Sequence, residues 1–407
     1  MKKTPQSERL HIAIFGRRNA GKSSLINRLT NQDIALVSDV PGTTTDPVYK
    51  SMELLPLGPV VIIDTAGIDD VGKLGEQRIL RTRKVLSKTD FAIIVIDSRN
   101  ELSNYENELI VYLKENEIPF IVVLNKIDTG VSEKLIEELT SANIPHFKVS
   151  CATGEGIEHL KNALPDYVPK DIQPPLVADL INAGEMMVLV VPIDLGAPKG
   201  RLIMPQVQTI RESIDQDALT LVVKEKELKF ALEQIKYPPK LVVTDSQAIM
   251  RVMADVPDAI PLTTFSILMA RYKGDLPTLV KGLAAVEKLN HGDHVLIAEA
   301  CTHHAQEDDI GKVKIPRWLR NFIGKDVQFH HVNGFEFPEN LHKYKLIIHC
   351  GSCMLNRRGM MFRIRQAARL NIPIVNYGVL ISYLHGAIPR VLKPFPEALQ
   401  AFEESGL

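Results

Sequence analysis

The chain has 407 residues, of which 45% are hydrophobic and 24% are charged, and its formal net charge is −1. This length predicts two or three domains, and the near-neutral balance disfavours a large nucleic-acid surface, which needs a basic excess. No apolar run approaches the roughly 20 residues of a membrane span, and the polar start lacks a signal-peptide core, so we expect a cytoplasmic protein that binds neither membrane nor nucleic acid.

Residues 10–165, within an expected first domain of residues 1–168, alternate between short apolar runs and amphipathic helical patterns. The strand-like runs are HIAIF, VVIID, FAIIVID, FIVVLN and HFKVS. Continuous apolar runs are typical of parallel strands that are buried on both faces. Their alternation with helices predicts a doubly wound α/β sheet, and the proline-rich segment 164–175 predicts a linker after it.

Two further α/β segments follow this linker. Residues 169–264 contain the strand-like runs MMVLVVPID, ALTLVV and KLVVTDS, and residues 265–407 contain HVLIAEAC, YKLIIHC and IPIVNYG. We expect a middle domain and a C-terminal domain with these bounds. Two strands of the last domain end in a cysteine, at the sheet edge where open α/β folds bind their ligands.

The segment GRRNAGKS, residues 16–23, fits the nucleotide-binding pattern G-x-x-x-x-G-K-S/T between a predicted strand and a predicted helix. Backbone N–H groups of such a loop surround phosphates. Lys22 is expected to reach the β- and γ-phosphates, and Ser23 to bind Mg²⁺. The expected phosphate contacts are Gly16, Asn19, Ala20, Gly21, Lys22, Ser23 and Ser24.

A second motif, DTAG at residues 64–67, ends a predicted strand. Asp64 is placed to hold Mg²⁺, directly or through water, and Gly67 to meet the γ-phosphate through its backbone N–H. A third motif, NKID at residues 125–128, carries a carboxylate that can accept two hydrogen bonds from guanine N1 and N2. Adenine cannot supply this pair of donors, so Asp128 favours GTP and GDP over ATP.

The remaining guanine contacts come from the same motif and from a fourth one. Asn125 and Lys126 are expected to support the base from its side and its face. The tight loop SCATGEG, residues 150–156, is expected to contact guanine O6 through its backbone at Ser150, Cys151 and Ala152. Four motifs in this order predict a GTP-binding domain.

The motif set resembles the translation-factor-related GTPases, in the branch of tRNA-modification and ribosome-assembly GTPases. The resemblance implies a first switch at 38–48, with Thr44 preferred over Thr45 as the residue that closes over Mg²⁺. Ile68 stands where Ras-like enzymes have a glutamine that orients water, so hydrolysis needs another device. Asn19 matches the position that binds K⁺ in relatives, which implies slow, potassium-stimulated hydrolysis. Glu76 matches in spacing a glutamate that positions water.

The cysteines of the C-terminal domain form the pattern C-x-H … H-C-x-x-C. Cys301, His303 and His304 follow one predicted strand, and His349, Cys350 and Cys353 follow another. Three thiolates with one imidazole suit a closed zinc site, while three thiolates alone leave a cubane cluster one cysteine short. The residues alone leave both open, with His303, His304, Glu307, Asp308, His349 or a small molecule in the fourth position. Cys151 is expected to be a packed side chain.

The combination of a GTPase domain, a middle domain and this terminal pattern resembles the [FeFe]-hydrogenase maturation GTPases over the whole chain. The resemblance implies a [4Fe–4S] cluster held by Cys301, Cys350 and Cys353, with a fourth ligand among His303, Glu307 and His349. It further implies a homodimer joined through the middle domain. The protein would receive a transient diiron precursor from radical-SAM maturases and deliver it to the apo-[FeFe]-hydrogenase.

Two other functions compete with this interpretation. A zinc-containing regulatory GTPase of ribosome or tRNA would fit the motifs, but it predicts a basic surface that the charge balance does not supply. An iron–sulfur enzyme regulated by GTP would need a substrate site that no motif indicates. The catalytic candidates are Lys22, Thr44, Asp64, Gly67 and Glu76. Ser23, Thr44 and Asp64 are the candidates at Mg²⁺, and Asn19 is the candidate at K⁺.

Overall fold

The computed structural model describes residues 4–30, 47–65, 82, 84–170, 173–192, 202–300, 309–334, 337–338 and 340–407. The chain divides into two compact units, Met1–Ile172 and Gln173–Leu407. The division falls inside the predicted linker 164–175. In the described residues, no helix is long and apolar enough to cross a membrane.

The first unit contains a sheet with the strand order β2-β3-β1-β4-β5-β6, in which β2 is antiparallel to β3 and the other neighbours are parallel. Its strands are β1 (Leu10–Phe15), β2 (Val48–Leu54), β3 (Gly58–Asp64), β4 (Phe91–Asp97), β5 (Phe120–Asn125) and β6 (His146–Lys148). Its helices include α1 (Lys22–Thr30), α2 (Asn104–Glu115), α3 (Glu133–Ser141) and α4 (Ile157–Tyr167).

Helices cover both faces of this sheet, so the predicted doubly wound architecture is confirmed. Every residue of β4 is buried, and separate apolar clusters lie on the two faces. Helix α4 continues through Pro165 into the segment predicted as linker. Leu160 and Leu164 explain this difference, because both are buried in the core and keep the last turn of α4 against the sheet.

The second unit contains two parallel sheets, with the strand orders β10-β9-β7-β8 and β12-β11-β13-β14. The strands are β7 (Met186–Val190), β8 (Leu219–Val223), β9 (Leu241–Thr244), β10 (Leu262–Thr264), β11 (His294–Glu299), β12 (Gln328–Asn333), β13 (Tyr344–His349) and β14 (Ile374–Asn376). The helices are α5 (Met204–Asp215), α6 (Leu228–Gln234), α7 (Ile249–Asp255), α8 (Phe265–Lys273), α9 (Leu276–Lys281), α10 (Ile315–Ile323), α11 (Arg357–Arg369), α12 (Tyr377–Leu384) and α13 (Pro396–Glu403).

A single apolar cluster runs through both sheets of the second unit. It joins Val188 and Val243 of one sheet to Ile297 and Ile348 of the other, with Phe265 buried between the predicted middle and C-terminal domains. Burial of this kind is the main stabilising term in folding. The two predicted domains therefore share one apolar core.

Candidate functional site

The predicted nucleotide loop connects β1 to α1, as the motif requires. Lys22 is buried, and its Nζ donates hydrogen bonds to the carbonyl oxygens of Gly16 and, at 3.2 Å, Arg17. The lysine is therefore folded back over the loop that is expected to hold phosphate. Ser23 and Ser24, in the first turn of α1, are exposed.

Two glycines of this loop are required by its geometry. Gly16 has a φ of +147°, and a Cβ there would lie 2.2 Å from the carbonyl oxygen of Val95. Gly21 has a φ of +97°, and a Cβ there would lie 2.1 Å from Asn125 Nδ2. Contacts this short exclude any side chain, so the backbone of the loop packs directly against the ends of β4 and β5.

The remaining phosphate-side residues lie at the same edge of the sheet. Asp64 ends β3, is 3% exposed, and pairs in register with Ile14 of β1, next to the loop. Asn19 is exposed and has a left-handed φ of 61°, which asparagine tolerates better than most residues. Ala20 is buried. Thr44, Gly67 and Glu76, together with Ile68 and most of the first switch, lie outside the described residues.

Asn125 links the phosphate loop to the guanine loop. It is 1% exposed at the end of β5; its Nδ2 donates to the carbonyl of Ala20 at 2.9 Å, and its Oδ1 accepts from Cys151 N at 3.1 Å. Asp128 accepts a hydrogen bond from Ser150 Oγ at 2.5 Å. The structure thus brings the third and fourth motifs together around the predicted base site.

Lys126 is oriented by Asp97, a residue that the motif search did not include. Lys126 has a left-handed φ of 67°, and its Nζ lies 2.9 Å from Asp97 Oδ2. Hydrogen bonds from Arg99 and then from Lys126 hold the pKa of Asp97 well below its usual range, against the opposing effect of burial. Asp97 is therefore ionised at neutral pH and fixes the lysine whose stem is expected to cover the base.

Arg28 of α1 holds the backbone of the guanine loop in place. Its Nε and one terminal nitrogen each donate at 2.8 Å, to the carbonyls of Cys151 and Ala152. Cys151 itself is 9% exposed, and burial raises the pKa of its thiol to about 11. The cysteine is thus an unreactive packed residue, and the arginine fixes the backbone beside it.

Arg28→Ala is expected to weaken GDP binding about 30-fold, because two hydrogen bonds that position the guanine loop are lost and each is worth roughly 1 kcal/mol. Stopped-flow measurement of the release of a fluorescent GDP analogue should show a faster dissociation rate for the alanine variant. Arg28→Lys, which keeps the charge but not the two-pronged geometry, should fall between the wild type and the alanine variant. Equal dissociation rates in all three proteins would contradict this role.

The C-x-x-C pair lies at the carboxyl end of β13, next to the end of β11. Cys350 and Cys353 are partly exposed. The backbone N–H of Ala300 lies 3.2 Å from Cys350 Sγ, and Cys350 N donates to the carbonyl of Ala298 at 3.0 Å. Ala300 lies beside the pair and immediately precedes Cys301 in the sequence.

Several predicted ligands of this site lie outside the described residues, namely Cys301, His303, His304, Glu307 and Asp308. Within the described ranges, no three His, Cys, Asp or Glu side chains come together as metal ligands. Among the described residues, Cys350 and Cys353 do not make a metal site by themselves, and the predicted third ligand, Cys301, lies outside them. Two accessible thiols beside that loop fit a thiolate-held zinc ion or iron–sulfur cluster.

His349 is engaged by the protein at both ring nitrogens. It is fully buried; its Nε2 lies 2.6 Å from an Arg363 nitrogen, and its Nδ1 lies 2.9 Å from the carbonyl oxygen of Cys350. Because arginine only donates, Nε2 accepts and Nδ1 carries the proton. Burial, and then the nearby Arg363 charge, lower the pKa of His349 to about 3, so the ring is neutral.

Sequence reasoning missed a buried carboxylate beneath the same site. Glu299 ends β11 and is 4% exposed. Tyr377 Oη donates to Glu299 Oε1 at 3.1 Å, and the amide of Asn333, oriented with its nitrogen towards Glu299, donates to Oε2 at 3.2 Å. Glu299 lies inside the apolar run HVLIAEAC, two residues before Cys301. The sequence feature that could have indicated Glu299 is an acidic residue at the end of an otherwise apolar strand.

Three family models match the chain. Residues 11–126 match the family described as 50S ribosome-binding GTPase. Residues 176–274 match the hydrogen maturase F dimerization domain, and residues 277–394 match the hydrogen maturase F tetramerization domain. The two maturase-specific domains together span more than half of the chain. The chain belongs to the hydrogen maturase F family.

This assignment confirms the predicted resemblance and fold class for the maturase. Its first unit is a P-loop GTPase domain, whose ligands are GTP or GDP with Mg²⁺, and α/β domains follow it. The two matched descriptions name a dimerization and a tetramerization domain, so self-association belongs to the family.

Curated relatives resemble the maturase over a part of its length. The tRNA modification GTPase MnmE of Nitrosomonas europaea is 37% identical over 158 residues, which are 39% of this chain and 34% of the relative. MnmE of Legionella pneumophila (strain Paris) is 39% identical over 164 residues, 40% of this chain and 35% of the relative. The chain thus spans about a third of the length of the curated relatives that it matches.

Solved structures match the chain with low overall scores. Aquifex aeolicus Era bound to GDP.AlF4⁻ is 20% identical, with a TM-score of 0.34, 53% of this chain covered and 92% of that chain. The G domain of the T. maritima FeoB iron transporter is 27% identical, with a TM-score of 0.30, 39% of this chain covered and 99% of that chain. Neither TM-score is high enough to support the family assignment further.

Proposed function

We propose that this maturase hydrolyses GTP and carries a [4Fe–4S] cluster on which the diiron part of the [FeFe]-hydrogenase H-cluster is assembled. It receives the diiron precursor from radical-SAM maturases and delivers it to the apo-hydrogenase. The observation that carries the proposal is the joining of two maturase-specific domains with a C-x-x-C pair beside the Cys301 loop.

The chemistry of the cysteine set supports an open cluster. Cys301, Cys350 and Cys353 supply three thiolates, whereas a closed cubane takes four. A [4Fe–4S] cluster held this way offers one iron to an incoming ligand such as a bridging cyanide. His349 is an unsuitable fourth ligand in the described conformation, because Arg363 and the Cys350 carbonyl occupy its nitrogens. The fourth position then falls to His303, Glu307 or an exchangeable ligand.

The GTPase domain supports slow, switch-like hydrolysis. Lys22 is folded over the phosphate loop, Ser23 and Asp64 lie at the sheet edge where Mg²⁺ binds, and Thr44, Gly67 and Glu76 complete the proposed catalytic set. Stabilisation of the transferred phosphoryl group is mainly electrostatic. With Ile68 in place of a glutamine, we assign part of that stabilisation to K⁺.

Hydrolysis is expected to be several-fold faster in KCl than in NaCl at equal ionic strength, because Asn19 supplies a K⁺ ligand beside the phosphates. Its exposed side chain and left-handed backbone present the amide to solvent at the loop. Asn19→Ala should remove the difference between the two salts and leave the NaCl rate unchanged. Single-turnover phosphate release would measure both rates, and equal turnover in the two salts for the wild type would rule out the K⁺ site.

The middle domain supports dimerisation through an exposed apolar surface around β8. Strand β8 is an edge of its sheet, and edges with unpaired backbone groups pair readily with other strands. Large apolar side chains on β8 and its flanking helices are substantially exposed, at 49% for Val207, 57% for Ile214, 55% for Leu219, 43% for Val222 and 64% for Phe230. Such a patch on a folded domain marks an association site.

The double variant Leu219→Lys, Val222→Lys is expected to dissociate the dimer, because two charges would be buried in an apolar interface. Light scattering coupled to size exclusion would show the mass falling by half. Val111→Lys is the matched control: Val111 is 54% exposed on α2 of the GTPase domain. A double variant that keeps the wild-type mass would place the interface elsewhere.

The experiment that tests the proposed function is activation of an apo-[FeFe]-hydrogenase by the purified maturase after exposure to its radical-SAM partners. Hydrogen evolution is expected with the wild type and not with Cys353→Ser. Activation by the serine variant at the wild-type level would overturn the carrier role of the cysteine site.

A further inference from the structure

Glu106 places a fully buried carboxylate between the phosphate loop and the first turn of α2. The residue is 0% exposed. Its Oε1 accepts a hydrogen bond from Arg17 Nε at 2.9 Å, and its Oε2 accepts from Ser103 N at 2.9 Å and from Ser103 Oγ. Because Arg17 is the second residue of the loop GRRNAGKS, this carboxylate joins the phosphate loop to a residue 89 positions later in the chain.

The helix cap that Glu106 provides does not explain its charge. Glutamate and glutamine serve alike as the third helical residue of a capping box. Helix α5 shows this in the same chain, because Gln206, which is 2% exposed at the corresponding position, accepts from Ile203 N at 3.1 Å. A buried carboxylate is costly unless a cation pairs with it. Glutamate is therefore favourable at position 106 because Arg17 is its partner.

Arg17 connects this carboxylate to the lysine of the phosphate loop. Its carbonyl oxygen accepts from Lys22 Nζ and from Ala20 N, each at 3.2 Å. One of its terminal nitrogens donates to the carbonyl of Glu101 at 3.3 Å, so the guanidinium is held at two points of the segment that includes Glu106. Holding the side chain restricts the carbonyl of the same residue, and with it the lysine that is expected to reach the phosphates.

We propose that Glu106 is a positioning residue for phosphate binding: through its ion pair with Arg17 it keeps the loop in the conformation that directs Lys22 to the β-phosphate. The ion pair acts on the phosphate end of the nucleotide. Asp97, which ends β4 at the start of the segment leading into α2, acts on the base end through Lys126. The proposal rests on the nucleotide site of the GTPase domain and is independent of any metal at the cysteines.

The test compares the binding of GDP with that of GMP, which lacks the β-phosphate. Glu106→Gln keeps a side chain that can cap α2 and removes the charge that holds Arg17. It is expected to weaken GDP binding about tenfold and GMP binding by less than about twofold, because the lysine that is displaced acts on the β-phosphate. Competition against a fluorescent GDP analogue would measure both affinities, and circular dichroism melting would establish that the variant is folded.

Glu108→Gln is the matched control for this measurement. Glu108 is exposed on the same helix, and its substitution changes the net charge equally, so this variant should bind both nucleotides as the wild type does. Wild-type GDP affinity in Glu106→Gln, or a loss of GDP and GMP affinity by the same factor, would overturn the positioning role alone. A wild-type protein that binds no GDP would overturn the GTPase function and the proposal with it.

A double variant, Arg17→Gln with Glu106→Gln, tests the ion pair itself. It leaves neither charge of the pair unpaired in the interior, so it is expected to fold even if Glu106→Gln alone does not. Because the two residues act as one unit, its loss of GDP affinity should match that of the weaker-binding single variant. A loss equal to the product of the two single losses would overturn the proposal, as would a wild-type ratio of GDP to GMP affinity in the double variant.

Discussion

Cys350→Ser is expected to hold less than one iron per chain after anaerobic reconstitution, where the proposed function gives about four for the wild type. Serine is a poor ligand for iron–sulfur clusters, and a set of three thiolates has no spare member. Absorbance near 420 nm and iron analysis would both report the loss. Cys353→Ser should behave in the same way, because the two thiols belong to one loop after β13.

Cys151→Ser is the control for this prediction. Cys151 is 9% exposed in the GTPase domain, and burial raises the pKa of its thiol to about 11, so it is a poor metal ligand. The variant should keep the full iron content. Retention of iron by Cys350→Ser, or its loss from Cys151→Ser, would contradict the assignment of the site.

Asp128→Asn is expected to switch base preference from guanine to xanthine. The carboxylate is predicted to accept from guanine N1 and N2. Each charge-assisted hydrogen bond is worth roughly 1.5–3 kcal/mol, so we expect GTP affinity to fall about 100-fold or more. The amide of asparagine instead matches xanthine, which offers an acceptor at C2 and a donor at N1. Competition of GTP and XTP against a fluorescent nucleotide would measure the switch.

Ser150→Ala is the matched control for the nucleotide prediction. Ser150 Oγ donates to Asp128 Oδ1 at 2.5 Å, so this variant removes the orienting bond and leaves the carboxylate. GTP affinity should fall by less than in Asp128→Asn, without any gain for XTP. A guanine preference that survives in Asp128→Asn would show that the base is recognised elsewhere.

Most strands were predictable from the sequence, but the two exposed edge strands β2 and β12 were not. Strand β4 is buried at every position and reads as a continuous apolar run. Strand β2, Val48–Leu54, lies at the sheet edge with only Leu54 buried, and β12, Gln328–Asn333, is likewise largely exposed. Because most side chains of β2 and β12 face solvent, these two segments carry little apolar signal in the sequence.

The motifs located the nucleotide site because its residues are contiguous in sequence and follow strand ends. The supporting side chains were not predictable in the same way. Arg28 binds the carbonyl of a residue 123 positions away. Because every residue has a backbone carbonyl, such a partner cannot be recognised from its residue type. Asp97 similarly ends a strand without belonging to any motif, and its role emerges from its ion pair with Lys126.

The cysteine site shows the limit of pattern reading for ligands. The sequence places His349 next to Cys350, which is compatible with a metal ligand or a supporting residue. The structure gives both of its nitrogens to protein partners, one of them 14 residues downstream on α11. Helix α11 itself was not predicted, since its polar segment RRG resembles a loop until Asn356 caps it at Gly359 N.

The most direct test of the central claim is metal and sulfide analysis of the maturase purified without oxygen. The proposed carrier function predicts roughly four irons with matching sulfide per chain. It also predicts a cluster EPR signal that changes on adding imidazole or cyanide, because one iron is open to exchange. One zinc per chain, with neither iron nor sulfide, would contradict the account and favour a zinc-containing regulatory GTPase.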